Sequence, residues 1–196
     1  MKKSRWLQIA GFAMILCGLL ALLAGSLLGE SAQGENRRAV EKILSLLPPR
    51  YSGVTDQYSN MDMPSLQVGG QDYIALLEAP KYGAKLPVKG KWSAIGAENC
   101  PCLFRGTVYD GSLVIGGSSK AGQLAFVSQI QNGDILVVTD MTGGQFTYRV
   151  TKIFRTDSAG ADVLVDENAD LTVFAWNGAG LEYIVVRCAA AAAPAT

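Results

Sequence analysis

Residues Trp6 to Leu28 run for 23 positions without a charge, directly behind Lys2, Lys3 and Arg5, and Gln8 is the only strongly polar member. At 1.5 Å per residue a helix of that length is roughly 35 Å long, enough to cross a bilayer core with some tilt. A cleaved signal peptide has a shorter apolar core, about 7–15 residues, followed by a small-x-small cleavage site. No good cleavage site follows Leu28, so the run reads as an uncleaved signal anchor. The basic leader then stays in the cytoplasm, and everything after Gly29 faces outward. Arg37 and Arg38 pull weakly against that orientation.

The chain beyond the anchor is long enough for one domain. Hydrophobic residues make up 49% of the sequence, enough for a core, and the 17 Lys+Arg balance the 17 Asp+Glu. That balance gives no reason to expect a nucleic-acid partner. Val40, Ile43, Leu44 and Leu47 fall at helical spacing and predict a short helix over Glu35–Leu47, stopped by Pro48-Pro49. Arg50 to Pro64 is polar and without periodicity, a linker or stalk.

From Leu66 the signals are short strands between turns. Asp72–Ala79, Lys85–Val88, Ser112–Gly117, Asp134–Thr139, Leu171–Ala175 and Leu181–Arg187 read as strands. Phe146, Tyr148 and Val150 alternate with Thr147, Arg149 and Thr151, a half-buried strand. Gly122–Ile130 is closer to helical spacing, and Met141-Thr142-Gly143-Gly144 is a hairpin turn. Many short strands with one or two helices predict a mainly β closed barrel. The expected organisation is a leader at 1–5, the anchor at 6–28, a juxtamembrane helix and linker at 29–65, the barrel at 66–188, and a frayed alanine-rich tail at 189–196.

The chain contains no histidine. That removes the commonest proton-transfer side chain at neutral pH. No Gly-rich phosphate loop, metal cluster or serine triad is visible, and no cofactor is expected. Asp157, Asp162, Asp166, Glu167 and Asp170 crowd one stretch; they read as a solvated acidic loop rather than a calcium loop, since their spacing matches no EF-hand. Ser118-Ser119-Lys120 is a weak hint of a serine–lysine pair. Cys17 lies within the anchor, behind Leu16 rather than a small residue, which does not suit lipid attachment. Cys100, Cys102 and Cys188 fall in the exported part, where one disulfide can persist. Cys100-Pro101-Cys102 lacks the Cys-x-x-Cys redox spacing.

An ordered series of segments resembles the sortase family of cell-surface cysteine transpeptidases over about Met63 to Cys188. It comprises Asp72–Pro80, Leu86-Pro87-Val88 and Trp92, then Pro101-Cys102, Tyr109 and Leu113-Val114-Ile115. Gly133-Asp134, Phe146-x-Tyr148-x-Val150, Leu171-Thr172-x-Phe174 and Val186-Arg187-Cys188 complete it. The pattern is closest to class B-like or class D-like members with an N-terminal anchor. The resemblance implies a mainly β, sortase-like closed barrel with short helices, preceded by an N-terminal transmembrane helix.

Family members carry Gly-His-Asn where this chain has Gly117-Ser118-Ser119, and Thr-Cys where it has Ala175-Trp176. Seven residues later they carry arginine where it has Tyr183. Arg187, four residues on, matches an arginine of the family pattern in its own right. A sortase thiolate attacks a peptide carbonyl at a signal such as Leu-Pro-x-Thr-Gly, and an amine resolves the acyl-enzyme. Ser118 is no base near neutral pH, Trp176 has no nucleophilic atom, and Tyr183 carries no positive charge. The resemblance thus implies a degenerate triad at Ser118, Trp176 and Tyr183 and a non-catalytic role. The implied partners are the membrane and either cell-surface proteins or an active sortase. The competing reading is an enzyme with its nucleophile relocated to Cys102 or Cys188. Family positions also favour a Cys102–Cys188 disulfide, the alternative being buried reduced thiols. Trp176 is expected either to fill part of the substrate groove or to pack on a neighbouring loop.

Overall fold

The computed structural model describes residues 14–18, 32–53, 61–157, 160–165, 168–177 and 182–191. Its strands are β1 (Tyr51–Ser52), β2 (Leu66–Val68), β3 (Gln71–Ala79), β4 (Ala84–Lys89), β5 (Cys102–Arg105), β6 (Leu113–Ser118), β7 (Ile135–Asp140), β8 (Gly144–Thr156), β9 (Leu171–Trp176) and β10 (Tyr183–Ala190). Following the pairings from β3 through β4, β5, β6, β9, β10, β8 and β7 leads back to β3. Eight strands therefore close into a barrel, which leaves no open edge in the ring. The pairs β4–β5 and β6–β9 are parallel and the rest of the ring is antiparallel. β1 adds to β8 in parallel, and β2 adds to β3.

The barrel interior is filled by side chains such as Leu77, Leu113, Ile115, Leu136, Val138 and Val173. β8 carries the alternation expected of a strand with one wet face: Phe146, Tyr148 and Val150 are buried while Arg149 and Thr151 are exposed. β3 has no such alternation because its outer face is also covered. A helix, α1 (residues 32–46), lays Ala39, Val40 and Ile43 against Tyr73 and Leu76 of β3 and against Cys100. The juxtamembrane helix of the sequence reading is thus packed onto the barrel.

β6 and β9 are buried along their whole lengths for a similar reason. Their outer faces lie under an aromatic layer built from Trp92, Phe104, Phe174, Trp176 and Tyr183. Gly116 of β6 makes this close approach possible: a Cβ there would sit 2.2 Å from the Phe174 ring. Two short helices flank the layer, α2 (Ala94–Ala97) and α3 (Ala161–Leu164), and 3-10 turns cover Pro80–Tyr82 and Leu124–Ser128.

Three expectations need correction or placing. Ala189 and Ala190, read as the start of a frayed tail, continue β10 opposite Arg149 and Tyr148, because backbone pairing does not depend on side-chain complexity. The Cys102–Cys188 disulfide is not formed, and all three cysteines of the barrel are free and buried. β6 and β9 lie between β5 and β10, a separation of about 14 Å at the usual strand spacing, well beyond the reach of a disulfide. Of the anchor expected over 6–28, residues 14–18 are helical and exposed, and the remainder lies outside the described residues. No described helix is long and apolar enough to cross a membrane.

Candidate functional site

The parallel register of β6 and β9 sets Ser118 beside Trp176. The antiparallel register of β9 and β10 sets Trp176 beside Tyr183. Three residues far apart or only loosely linked in sequence therefore form one row across three neighbouring strands. The row stands at the end of β6 and β9, where the chain leaves the sheet.

Each member is held in a way that can be traced to its surroundings. Ser118 is completely buried, and its Oγ lies 3.4 Å from the backbone N–H of Lys120, which donates to it. The backbone N–H of Ser119 donates to the Trp176 carbonyl at 2.9 Å, which ties the two strand ends together. The Trp176 indole is 8% exposed. Its ring lies 6.1 Å from Trp92, 6.3 Å from Phe174 and 6.4 Å from Tyr183, centroid to centroid. These tilted and edge-on geometries are the favourable ones for aromatic rings.

The polar edge of the indole has its own partner. Trp176 Nε1–H donates to Glu98 Oε1 at 2.6 Å, and Glu98 Oε2 receives Lys120 Nζ at 2.5 Å. Glu98 follows α2, whose first turn is capped by Ser93 Oγ accepting from the Gly96 N–H at 3.0 Å. The cap fixes the turn, and the turn delivers the carboxylate to the indole. The Lys120 ammonium, reinforced by the indole N–H and partly opposed by burial, holds the Glu98 carboxyl below the usual glutamate range. A depressed folded pKa means the clasp is complete above the ordinary glutamate range and is lost as pH falls through the depressed value. Acid titration is therefore expected to shift tryptophan emission only below the ordinary glutamate range, and Glu98→Gln should abolish that transition. An identical acid transition in the variant would show that Glu98 does not hold Trp176.

Beside the row remains a cleft of about 340 Å3 walled by Trp92, Phe104, Phe174, Trp176 and Tyr183, with Glu98 at its rim. Trp176 lies among the rings lining the cleft, and its indole N–H is pinned by Glu98 of the neighbouring loop. Nothing in the row supplies a nucleophile and base together. Lys120 Nζ, the one amine near Ser118 in sequence, is engaged by Glu98.

The remaining sequence candidates lie elsewhere. Cys102 and Cys188 are fully buried. Burial raises the Cys102 thiol and pushes Cys188 up to about 12, while Cys100 is likewise pushed up to about 12. The Cys102 S–H donates to the Cys100 carbonyl, and the Cys100 S–H to the Pro87 carbonyl, both at 3.3 Å. A nucleophilic cysteine needs the opposite environment, accessible and with a lowered pKa. Arg187 stacks its guanidinium 5.0 Å over Phe154 and donates to the Val163 carbonyl at 3.1 Å, away from the row. In the acidic stretch Asp157 is exposed, Asp170 accepts from the Ala190 N–H at 2.7 Å, and Asp166 and Glu167 lie outside the described residues. No group of three His, Cys, Asp or Glu among the described residues could hold a metal ion.

Glu98 went unnoticed in the sequence as a site residue, and Lys120 stood out only as a weak hint of a base beside Ser118 rather than as a partner of Glu98. Glu98 is 78 positions from the indole it holds, and no spacing rule connects them. Trp92 was visible only as a marker of resemblance.

No protein-family model matches this chain, and neither does any curated protein sequence. Solved structures do. The Clostridium perfringens sortase D5 transpeptidase is 20% identical, with 62% of this chain and 80% of that one covered at a TM-score of 0.52. Sortase A from Corynebacterium diphtheriae is 15% identical, covering 84% and 85% at 0.54. Sortase C1 from Streptococcus agalactiae is 16% identical, covering 69% and 74% at 0.55. The chain has the fold of these sortases.

Proposed function

We propose that this chain is a membrane-anchored, extracellular protein that uses a sortase-like barrel without sortase chemistry. Its role is that of an accessory or scaffold where surface proteins or pili are anchored, beside cell-surface proteins or an active sortase. The observation that carries the reading is the row Ser118–Trp176–Tyr183, in which an indole clasped by Glu98 stands at the position matched to the nucleophile. Thiolate attack and proton transfer near neutral pH each need a group that this row lacks, and Tyr183 offers a single hydrogen bond without the positive charge of the family's arginine. The uncharged run Trp6–Leu28 behind a basic leader supports the anchor. Burial of Cys102 and Cys188 weighs against a relocated nucleophile.

Incubated with a labelled Leu-Pro-x-Thr-Gly peptide and an amine acceptor, the full chain in detergent is expected to give no cleavage, no acyl adduct by intact mass and no saturable binding. A thioester, or peptide affinity in the micromolar range, would overturn the proposal.

A further inference from the structure

A second concave surface lies where α1 crosses the outer face of β3, with Asn99 and Cys100 in its wall. Here α1, the β2–β3 turn and the end of β4 enclose a groove of about 540 Å3. We infer that this groove binds a phosphate group, with Arg38, Lys42 and Lys89 as its cations and the Tyr73 hydroxyl as a hydrogen-bond donor.

The residues that line it are arranged for an anion. Arg38 and Lys42 stand one helical turn apart on α1, four residues in sequence, so their side chains share a face. Lys89 comes from the last residue of β4 on the barrel side. None of the three has an ion-pair partner among the described residues. Several other cations of the molecule do: Lys81 is held by Asp134, Lys85 by Glu78, Lys120 by Glu98 and Arg155 by Glu182. Glu35 is the one carboxylate lining the groove, so the lining keeps an excess of positive charge.

Tyr73 supplies the independent observation. The residue is 6% exposed and lines the groove, yet its hydroxyl has no hydrogen-bond partner among the described residues. The hydroxyl is not one of the buried polar atoms left without a partner, so it meets the solvent of the groove and is free to donate there. Burial, with Cys100 and Glu35 adding to it, pushes its pKa up to about 12, so the proton stays on oxygen as a donor. Three unpaired cations and one unused O–H donor suit an anion with several acceptor oxygens and more than one charge, which is the chemistry of a phosphate. The groove is larger than the phosphate alone, which leaves room for whatever the phosphate is attached to.

Phosphate groups reach such a site free in solution or on a lipid headgroup, and two arms of one experiment separate them. The full chain in detergent is titrated calorimetrically with inorganic phosphate, and its melting is compared in mixed micelles carrying phosphatidylglycerol or phosphatidylcholine. Phosphate is expected to bind, with affinity lowered about tenfold or more in an Arg38→Gln, Lys42→Gln, Lys89→Gln variant. Tyr73→Phe keeps the packed ring and should weaken binding by about threefold. Stabilisation by phosphatidylglycerol alone, lost in the triple variant, identifies the headgroup as the source; phosphate binding without that stabilisation identifies the free anion. Binding in neither arm, or binding undiminished by the triple variant, overturns the inference. The outcome is independent of whether residues 6–28 cross a bilayer and of whether the barrel is catalytic.

Discussion

Trp176→Ala is expected to cost about 3–5 kcal/mol of stability, the usual range for emptying a buried large aromatic site. For a chain of this size that corresponds to a fall in Tm on the order of 10 °C. The argument rests on how the indole is held. It is nearly buried, touches three aromatic rings and closes a hydrogen bond to Glu98. Alanine removes all of these and joins the vacated volume to the existing cleft. Trp176→Phe separates the contributions in part, because it keeps an aromatic ring in the site while losing the N–H and the remainder of the indole. It should recover more than half of the lost stability. The enlarged cleft of Trp176→Ala should also take up an environment-sensitive apolar dye that the parent excludes. A change within about 0.5 kcal/mol, as for a neutral surface substitution, together with no dye uptake, would show that the indole does not occupy the cleft.

The row at the ends of β6, β9 and β10 was legible in the sequence through the sortase resemblance, which singled out Ser118, Trp176 and Tyr183 together. Seven residues separate Trp176 from Tyr183 across a turn, and the apolar segments Leu113–Ile115 and Leu171–Phe174 identify their own strands. The alternation of Phe146, Tyr148 and Val150 likewise required no tertiary information. What failed or stayed hidden depended on strand order. Cys102 and Cys188 each match a family position, but whether two strands lie between them is a property of the closed ring. The same holds for Glu98, whose partner is brought to it by barrel closure. β5 and β1 are four and two residues long, too short to show a period. One clue was present and unused: the apolar run Asp72–Ala79 lacks alternation, which signals a strand covered on both faces. The second cover is α1, a helix the sequence had already marked out by Val40 and Ile43.

Asp140→Ala is expected to destabilise the protein by about 4 kcal/mol, since stranding a buried donor costs roughly 1–3 kcal/mol each. Asp140 is the last residue of β7 and is completely buried. Its Oδ1 accepts from the Thr142 N–H at 2.9 Å, the Thr142 hydroxyl at 2.7 Å and the Gly144 N–H at 2.8 Å. Its Oδ2 accepts from the Tyr109 hydroxyl at 2.7 Å. With the Thr142 proton committed to Asp140, the Tyr51 hydroxyl donates to Thr142 Oγ1 at 2.7 Å. One carboxylate therefore shapes the β7–β8 turn, anchors the loop bearing Tyr109 and indirectly fastens β1. It also stands opposite Ala75 of β3, at the pairing that closes the barrel. Asp140→Asn tests the cause, because its amide oxygen can keep the three contacts of Oδ1 while its amide nitrogen faces Tyr109, whose hydroxyl can turn to accept. That variant should lose only about 1–2 kcal/mol, one hydrogen bond's worth with some strain. Thermal or denaturant unfolding of both variants measures the difference, with an unchanged m-value confirming that stability alone has moved. Equal losses in the two variants would show that the carboxylate's hydrogen bonds are not what holds this corner of the barrel shut.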